Sequence, residues 1–250
     1  MNSLRHSESW IYAACVTLLL GRSWQYWFWG TAFHATFPAM EIIAGSLFLA
    51  TLAGLLFFRK KRWVSLALLA SSVVFAGQFL LAFPQKGYQW AYLVEHGLAI
   101  LTPVICMLWT SNPKAATPLA RWATALTFLG HGIYALGWPY PTPSHFLFMT
   151  TEVMGVSPES AVHFLRFAGF MDLTVVVALI FPGPAKGLLL YAACWGMATA
   201  LARPWAYVSF STLGEDLHRW AMEAVFRVPH SLVPLAIWIR TSWEEGNRPN

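Results

Sequence analysis

Two short stretches of the chain carry a glutamate, a histidine and an arginine at the spacing of an α-helix. They are Glu159, His163 and Arg166 in one stretch and Glu223, Arg227 and His230 in the other. In both, the three residues stand at i, i+4 and i+7, so they share one face of a helix. A Glu–Arg pair can neutralise its own charge, while a neighbouring histidine can ligate a metal or exchange a proton. Each stretch is therefore either a candidate site or an ion-pair network that locks helices together.

Other ionisable residues lie inside or beside long apolar stretches, where a polar group is costly unless it has a partner or a function. They include Arg22, His34, Glu41, Glu95, His96, His131, Asp172 and Arg203. If the apolar stretches cross a membrane in the orientation inferred below, these residues, apart from Asp172, fall near the outer ends of the spans. The pattern predicts one polar site that opens toward the outer face.

The residue types indicate two kinds of role at this site, because general acid–base chemistry needs groups that titrate near the working pH. The predicted catalytic residues are His96, His163, His230, Glu95 and Glu223. The predicted substrate-binding residues, which would hold or orient anionic or carbonyl oxygens, are Arg22, Arg166, Arg227 and Glu41.

The sequence leaves the cofactor open between a quinone, a haem and a metal ion. Histidine and carboxylate ligands suit zinc, iron or copper. However, no His-Glu-x-x-His motif occurs, and Glu95 and His96 are adjacent, so a regular helix does not direct both at one ion. Asp172 lies near the middle of a predicted span, nine residues after His163, and is expected to face roughly the opposite way. It is either a proton or ion relay or one partner in a hydrogen bond between helices.

The composition indicates whether water or a lipid bilayer surrounds the protein. Of the 250 residues, 57% are apolar and 11% are charged, whereas soluble domains are about 25% charged. The chain is therefore predicted to be an all-α, polytopic membrane helix bundle that forms one integral membrane domain over residues 1–250. Its net charge of +5 is explained by lysines and arginines in the predicted cytoplasmic loops, which orient a membrane protein, rather than by nucleic-acid binding.

About eight transmembrane helices are predicted, since a span needs about 20 mostly apolar residues. The predicted spans are Trp10–Trp29, Pro38–Phe58, Trp63–Phe83, Trp90–Trp109, Leu119–Leu136, Ser160–Phe181, Gly187–Ala202 and Trp220–Ile239. Lysine and arginine favour cytoplasmic loops, so the Arg59–Arg62 run predicts cytoplasmic N- and C-termini. The connection 137–159 then lies outside and has no lysine or arginine. It is a candidate interfacial lid over the site.

Two segments resemble the DoxX-like membrane protein family. They are Leu20–Gln25, with Arg22 at its centre, and Leu165–Leu173, which contains Arg166, Gly169 and Asp172 and precedes an apolar run. The family pattern is an Arg-containing helix start followed by a glycine and an acidic residue in the next apolar stretch. Some DoxX-like proteins are membrane subunits of thiosulfate:quinone oxidoreductases. The resemblance implies that Arg22 and Arg166 lie near a quinone or anion site.

The leading functional prediction is a quinone- or cofactor-linked redox component of a bacterial-type inner membrane. Two alternatives stay open. One is a non-catalytic subunit that docks an outer partner, such as another membrane or periplasmic subunit, through the polar cluster. The other is a small anion or proton transporter, for which Asp172 is the best support. The expected partners are the lipid bilayer and a quinone, with no nucleic acid.

Overall fold

The computed structural model describes residues 2–30, 38–181 and 186–247, and every regular element in these ranges is a helix. The all-α prediction is therefore confirmed for this part of the chain. The helices are α1 (Asn2–Phe28), α2 (Pro38–Phe58), α3 (Arg62–Ala82), α4 (Trp90–Val94), α5 (Gly97–Ser111), α6 (Pro113–Leu136), α7 (Ser144–Met154), α8 (Pro158–Ile180), α9 (Lys186–Tyr207), α10 (Leu213–Arg227) and α11 (Pro229–Gly246). His34 lies outside the described residues.

Local sequence signals set several helix boundaries. The Asn112 side chain accepts a hydrogen bond from the Ala115 amide at the start of α6, and proline occupies the first position of that helix. Gly137 then ends α6 with a left-handed backbone, φ 75°, which glycine adopts without steric cost. Ser157 caps α8 by accepting from the Ser160 amide. These caps fix where α6 begins and ends and where α8 begins.

Within the described residues, four helical segments are long and apolar enough to cross a membrane, not the eight predicted from the sequence. They are Pro38–Phe58, Arg62–Ala82, Trp90–Ser111 and Pro158–Ile180. The other predicted spans are helical, but they belong to α1, α6, α9 and the α10–α11 pair, which carry Arg22, His131, Arg203 and Glu223 within them. The polar residues of the candidate site therefore lie mostly on the helices that fall short of the apolar criterion.

The long helices run antiparallel, so that their ends meet at two opposite sides of the bundle. At one side, which we call the Arg59 end, Glu8 pairs with Arg59 and Lys186 pairs with Glu245. At the other, which we call the Trp29 end, Trp29 donates a hydrogen bond to His218. Between the two ends, the core packs around side chains such as Leu18, Phe48 and Phe75.

Two of the predicted spans are interrupted. The fourth divides at Glu95 and His96 into α4 and α5, and the eighth divides at Val228 into α10 and α11. At the second break, Pro229 has no N–H to continue the hydrogen-bond ladder and begins a new helix instead. Both breaks fall at candidate site residues.

Candidate functional site in the helix bundle

The centre of the polar cluster is the carboxylate of Glu223, on α10. Its Oε1 lies 3.2 Å from Arg227 Nε and 3.8 Å from Arg203 Nε. Its Oε2 accepts a hydrogen bond from the Gln25 side chain on α1. The side chain of Arg203 is only 7% exposed, and that of Glu223 18%. One glutamate therefore holds two guanidinium groups in a mostly buried position, and three helices meet there.

A first arm of the cluster runs from Glu223 into α1. Arg22 Nη1 donates to Gln25 Oε1 at 3.0 Å. The Arg22 guanidinium also stacks on aromatic rings, at 4.3 Å from the centroid of Phe226 and 5.6 Å from that of Phe79. Arg22 thus lies behind Gln25 as seen from Glu223, and it is held by cation–π contacts.

A second arm runs from Arg227 through three histidines. His230 Nδ1 lies 2.7 Å from the Arg227 carbonyl, and the His230 and His131 rings are 5.6 Å apart between centroids. Glu95 comes next, with Oε2 3.8 Å from His131 Nδ1 and Oε1 3.7 Å from His96 Nδ1. Polar groups of α10, α11, α6 and the α4–α5 break therefore lie next to one another along this arm.

The hydrogen bonds of two histidines fix which ring nitrogen carries a proton. His96 Nδ1 lies 2.7 Å from the Tyr92 carbonyl, as His230 Nδ1 does from that of Arg227. A carbonyl oxygen only accepts, so each Nδ1 donates its N–H. In the neutral ring, Nε2 is then the acceptor that remains for a ligand or a proton.

The break between α4 and α5 explains how Glu95 and His96 take part together. A regular helix would direct the two adjacent side chains about 100° apart, but the helix stops at Val94 and restarts at Gly97. Gly130 allows the break to approach α6, since a Cβ there would lie 2.5 Å from the Cβ of Glu95. The sequence reasoning missed this break, although Gly97 directly follows the pair.

A second close approach forms the α9 side of the site. A Cβ on Gly196 would lie 2.3 Å from the His230 carbonyl oxygen, so only glycine lets α9 come this near to the start of α11. The close approach places Thr199 and Arg203, one and two turns after Gly196, beside Arg227 and His230 around the same cavity. Arg203 Nη1 donates to the Thr199 carbonyl at 2.9 Å, which fixes the guanidinium at the end of α9.

A cavity of about 190 Å³ lies next to this cluster, between α6, α7, α8 and α9. Its walls are mostly apolar, and its polar lining consists of His131, Thr150, Asp172, Thr199, Arg203, Arg227 and His230. Helix α7 contributes Phe146, Met149 and Val153 to one wall. The 137–159 segment, which the sequence offered as a lid, therefore covers the cavity with a helix; whether it opens stays a prediction.

The structure brings most, but not all, of the predicted site residues together. Arg22, Glu95, His96, Glu223, Arg227 and His230 belong to the connected cluster. Of these, only Arg227 and His230 line the cavity. Glu41 is buried in the first turn of α2, a helix that contributes nothing to the cavity lining.

The first Glu–His–Arg triplet is not part of the cluster, which corrects the expectation that both triplets converge. Glu159, His163 and Arg166 are all exposed, on the outward face of α8. The inward face of α8 carries Leu165 and Asp172 instead, so the prediction that Asp172 faces away from His163 is confirmed. The resemblance placed Arg22 and Arg166 beside a ligand, but neither lines the cavity.

Two residues to which the sequence gave no role, His131 and Arg203, line the cavity beside Arg227 and His230. The sequence identified both as ionisable groups near the outer ends of apolar stretches, but nothing else in it indicated that they belong to the site. Gln25 was missed as well, although it follows Arg22 by three residues and therefore shares its helix face.

Among the described residues, no three His, Cys, Asp or Glu side chains are grouped closely enough to hold a metal ion. No family model matches the chain, and no curated protein or solved structure is significantly similar to it. The DoxX-like resemblance therefore stays a prediction.

Proposed function

We propose that the cavity binds the oxygen-bearing head of an amphipathic, lipid-soluble molecule, and that a quinone is the best candidate. The observation that carries this proposal is the cavity itself: an apolar chamber that ends on two guanidinium groups, of the buried Arg203 and the half-buried Arg227, and on two histidines, His131 and His230. Apolar pockets with a few convergent polar groups are the usual form of a small-molecule site.

The charges of the cluster favour an oxygen acceptor at this end of the cavity. Two guanidinium groups, of Arg203 and Arg227, share the single carboxylate of Glu223 there. The excess positive charge attracts carbonyl or anionic oxygens. Because Glu223 already holds both Arg203 and Arg227 in place, their remaining N–H groups are available at little further cost in ordering.

The histidine arm supports a role in redox chemistry, since reduction or oxidation of a quinone moves protons as well as electrons. His230 lines the cavity, its ring contacts that of His131, and His131 leads to Glu95. Each of these groups can take up or release a proton. We propose that these groups pass a proton between the cavity and the α4–α5 break.

In the membrane, we propose that helices which fall short of the apolar criterion cross together with the four apolar segments, with both termini cytoplasmic in a bacterial-type inner membrane. The α1, α6 and α9 helices have 27, 24 and 22 residues, and each is long enough to span about 30 Å of hydrocarbon. Their charged residues are turned inward, as the burial of Arg22 and Arg203 illustrates. The basic Arg59 end is then the cytoplasmic side.

A cavity-filling substitution tests the proposal without disturbing the charges. Ala202 lines the cavity, whereas its neighbour Leu201 is exposed on the outside of α9 and does not line it. We expect Ala202→Phe to weaken binding of a short-chain ubiquinone analogue to the detergent-purified protein by more than about tenfold, as measured by equilibrium dialysis. Leu201→Phe should leave binding unchanged. The proposal is wrong if the unmodified protein does not bind the analogue, or if both variants bind it equally well.

A further inference from the structure

Asp172 is a buried carboxyl group in the wall of the cavity. It is 3% exposed, on the inward face of α8, and it lines the same cavity as Arg203 and Arg227. A Cβ on Gly132 would lie 3.2 Å from the Asp172 Cβ, so the carboxyl belongs to the wall that α6 and α8 form together. Arg203 and Arg227 lie on α9 and α10 instead. The cavity therefore carries polar groups on two different walls.

The surroundings of Asp172 favour the neutral form of its carboxyl group. Its Oδ1 is buried without a hydrogen bond, and within the described residues no side chain forms an ion pair with it. The guanidinium groups of Arg203 and Arg227 pair with Glu223 instead. An ionised carboxylate would place part of its charge on the unpartnered Oδ1, and a buried charge without a partner is far more costly than a neutral polar group. A protonated Asp172 carries a hydroxyl that can donate a hydrogen bond.

The polar groups of the lining differ in whether the protein already occupies their donors. Thr150 Oγ1 donates to the Phe146 carbonyl at 2.9 Å, and Thr199 Oγ1 donates to the Gly196 carbonyl at 3.1 Å. The part of the chain that the structure describes supplies no such partner to the Asp172 carboxyl. Buried polar groups are normally hydrogen-bonded, so the partner of this carboxyl is expected on the molecule that fills the cavity.

We infer that Asp172 is a second ligand-binding residue, whose protonated carboxyl donates a hydrogen bond to an oxygen that Arg203 and Arg227 do not hold. This inference rests on the proposed function, because a quinone has two carbonyl oxygens on opposite sides of its ring. One carbonyl accepts from the guanidinium groups, and the other accepts from Asp172 on the α6–α8 wall. A neutral carboxyl can also accept a hydrogen bond, so Asp172 selects ligands with two oxygens rather than one oxidation state of the ligand.

The test replaces the carboxyl with an amide, which keeps a donor, and with an apolar group of similar size. Binding of a short-chain ubiquinone analogue to the full-length protein in detergent is measured by equilibrium dialysis. Asp172→Asn should change the affinity by less than about threefold, because the amide N–H can donate to the same carbonyl. Asp172→Leu should lower it about tenfold, as expected for the loss of one hydrogen bond in an apolar cavity.

The matched control is Thr150→Val, which removes a hydroxyl from the same lining at constant size. Because that hydroxyl donates to a carbonyl of its own helix, its loss should leave the affinity unchanged. An affinity that falls equally in Asp172→Asn and Asp172→Leu, or in neither, would overturn the inference and leave the proposed quinone site intact. Much tighter binding by Asp172→Asn would show that the carboxyl is ionised in the unmodified protein, and this result would overturn the inference as well.

Infrared difference spectroscopy provides a readout that a purely structural role would not move. The unmodified protein should show the C=O stretching band of a protonated carboxyl that shifts when the analogue is added, and this band should be absent from Asp172→Asn. A band that does not respond to the analogue, or the lack of any band that depends on Asp172, would overturn the inference without reference to the affinities. Failure of the unmodified protein to bind the analogue would overturn the proposed function together with the inference.

Discussion

The two Glu–His–Arg triplets have the same spacing but opposite surroundings. Glu223, Arg227 and His230 lie inside the bundle and connect to α1, α6 and α9, whereas Glu159, His163 and Arg166 are exposed on α8. The i, i+4, i+7 pattern correctly places the three α8 side chains on one face, whereas the break at Val228 puts His230 on α11 and the other two residues of its triplet on α10. It does not say whether that face is directed into the bundle or away from it.

The neighbouring residues decide the direction. On α8, the face opposite the triplet carries Leu165, Ala168, Gly169 and Asp172, and it packs against α6 through a close approach of Gly169 to Gly132. Burying that apolar, small-residue face turns the charged triplet outward. On α10 the buried residues Ala224 and Phe226 flank Glu223 and Arg227, so the same packing draws the charges inward.

The largest expected difference between the triplets concerns their glutamates. Glu223→Gln removes the charge that balances Arg203 and Arg227, and loss of one partner from a buried ion pair typically costs about 3 kcal/mol. We therefore expect a clearly lower thermal stability of the detergent-purified protein, as measured by size-exclusion chromatography after heating. Glu159→Gln, on the exposed triplet, should have almost no effect. Equal losses in the two variants would contradict the assignment of one triplet to the interior.

A second, smaller effect concerns the close packing of α9 against α11 beside the inward triplet. A methyl group at Gly196 would meet the His230 carbonyl oxygen at 2.3 Å, so Gly196→Ala must push α9 away from α11. Overpacking of this kind costs about 1–3 kcal/mol, and ligand affinity should fall as well because Arg203 moves with α9. Gly187→Ala is the control on the same helix, since nothing lies within 4 Å of a Cβ there. A stable Gly196→Ala variant with normal binding would show that the close approach is not required.

The smallest effect concerns the turn that leads into α10. Asp216 Oδ2 accepts from the Ser209 amide at 3.0 Å and from Thr212 Oγ1 at 2.6 Å, and these hydrogen bonds lower the pKa of the Asp216 carboxyl below its usual range. A lowered pKa in the folded state stabilises the turn at neutral pH, and this contribution is lost as the pH falls through that pKa. The protection factors for hydrogen exchange in the segment 209–216, corrected for the intrinsic pH dependence of amide exchange, should fall at acidic pH, and Asp216→Asn should remove this fall. Protection factors that stay constant across the acidic range would contradict the prediction.

Several features of the site were predictable from the sequence because they depend on residue type and local spacing. The helical class, the close association of Glu223 with Arg227, and the burial of Asp172 opposite His163 are of this kind. The apolar surroundings of Arg22 and Glu95 also indicated correctly that each needs a partner.

The remaining features depend on contacts between helices that are distant in the chain. Gln25 and Glu223 are 198 residues apart, and no local pattern pairs them. The role of Arg203 depends on Gly196, which brings α9 close to α11. The break at Glu95 is likewise stabilised from outside its own helix, by its fit against Gly130 on α6. Local propensity has little influence on such features.

The most direct test of the central claim is photolabelling in native membranes with an azido derivative of a short-chain ubiquinone, followed by peptide mapping. A cavity between α6, α7, α8 and α9 predicts labelled peptides that contain Met149, Met154 or Trp195, all of which line it. Labelling should be competed by unlabelled analogue and lost in Ala202→Phe. Labels spread over the exposed apolar faces of α2 and α3, without competition and unchanged in Ala202→Phe, would contradict the account.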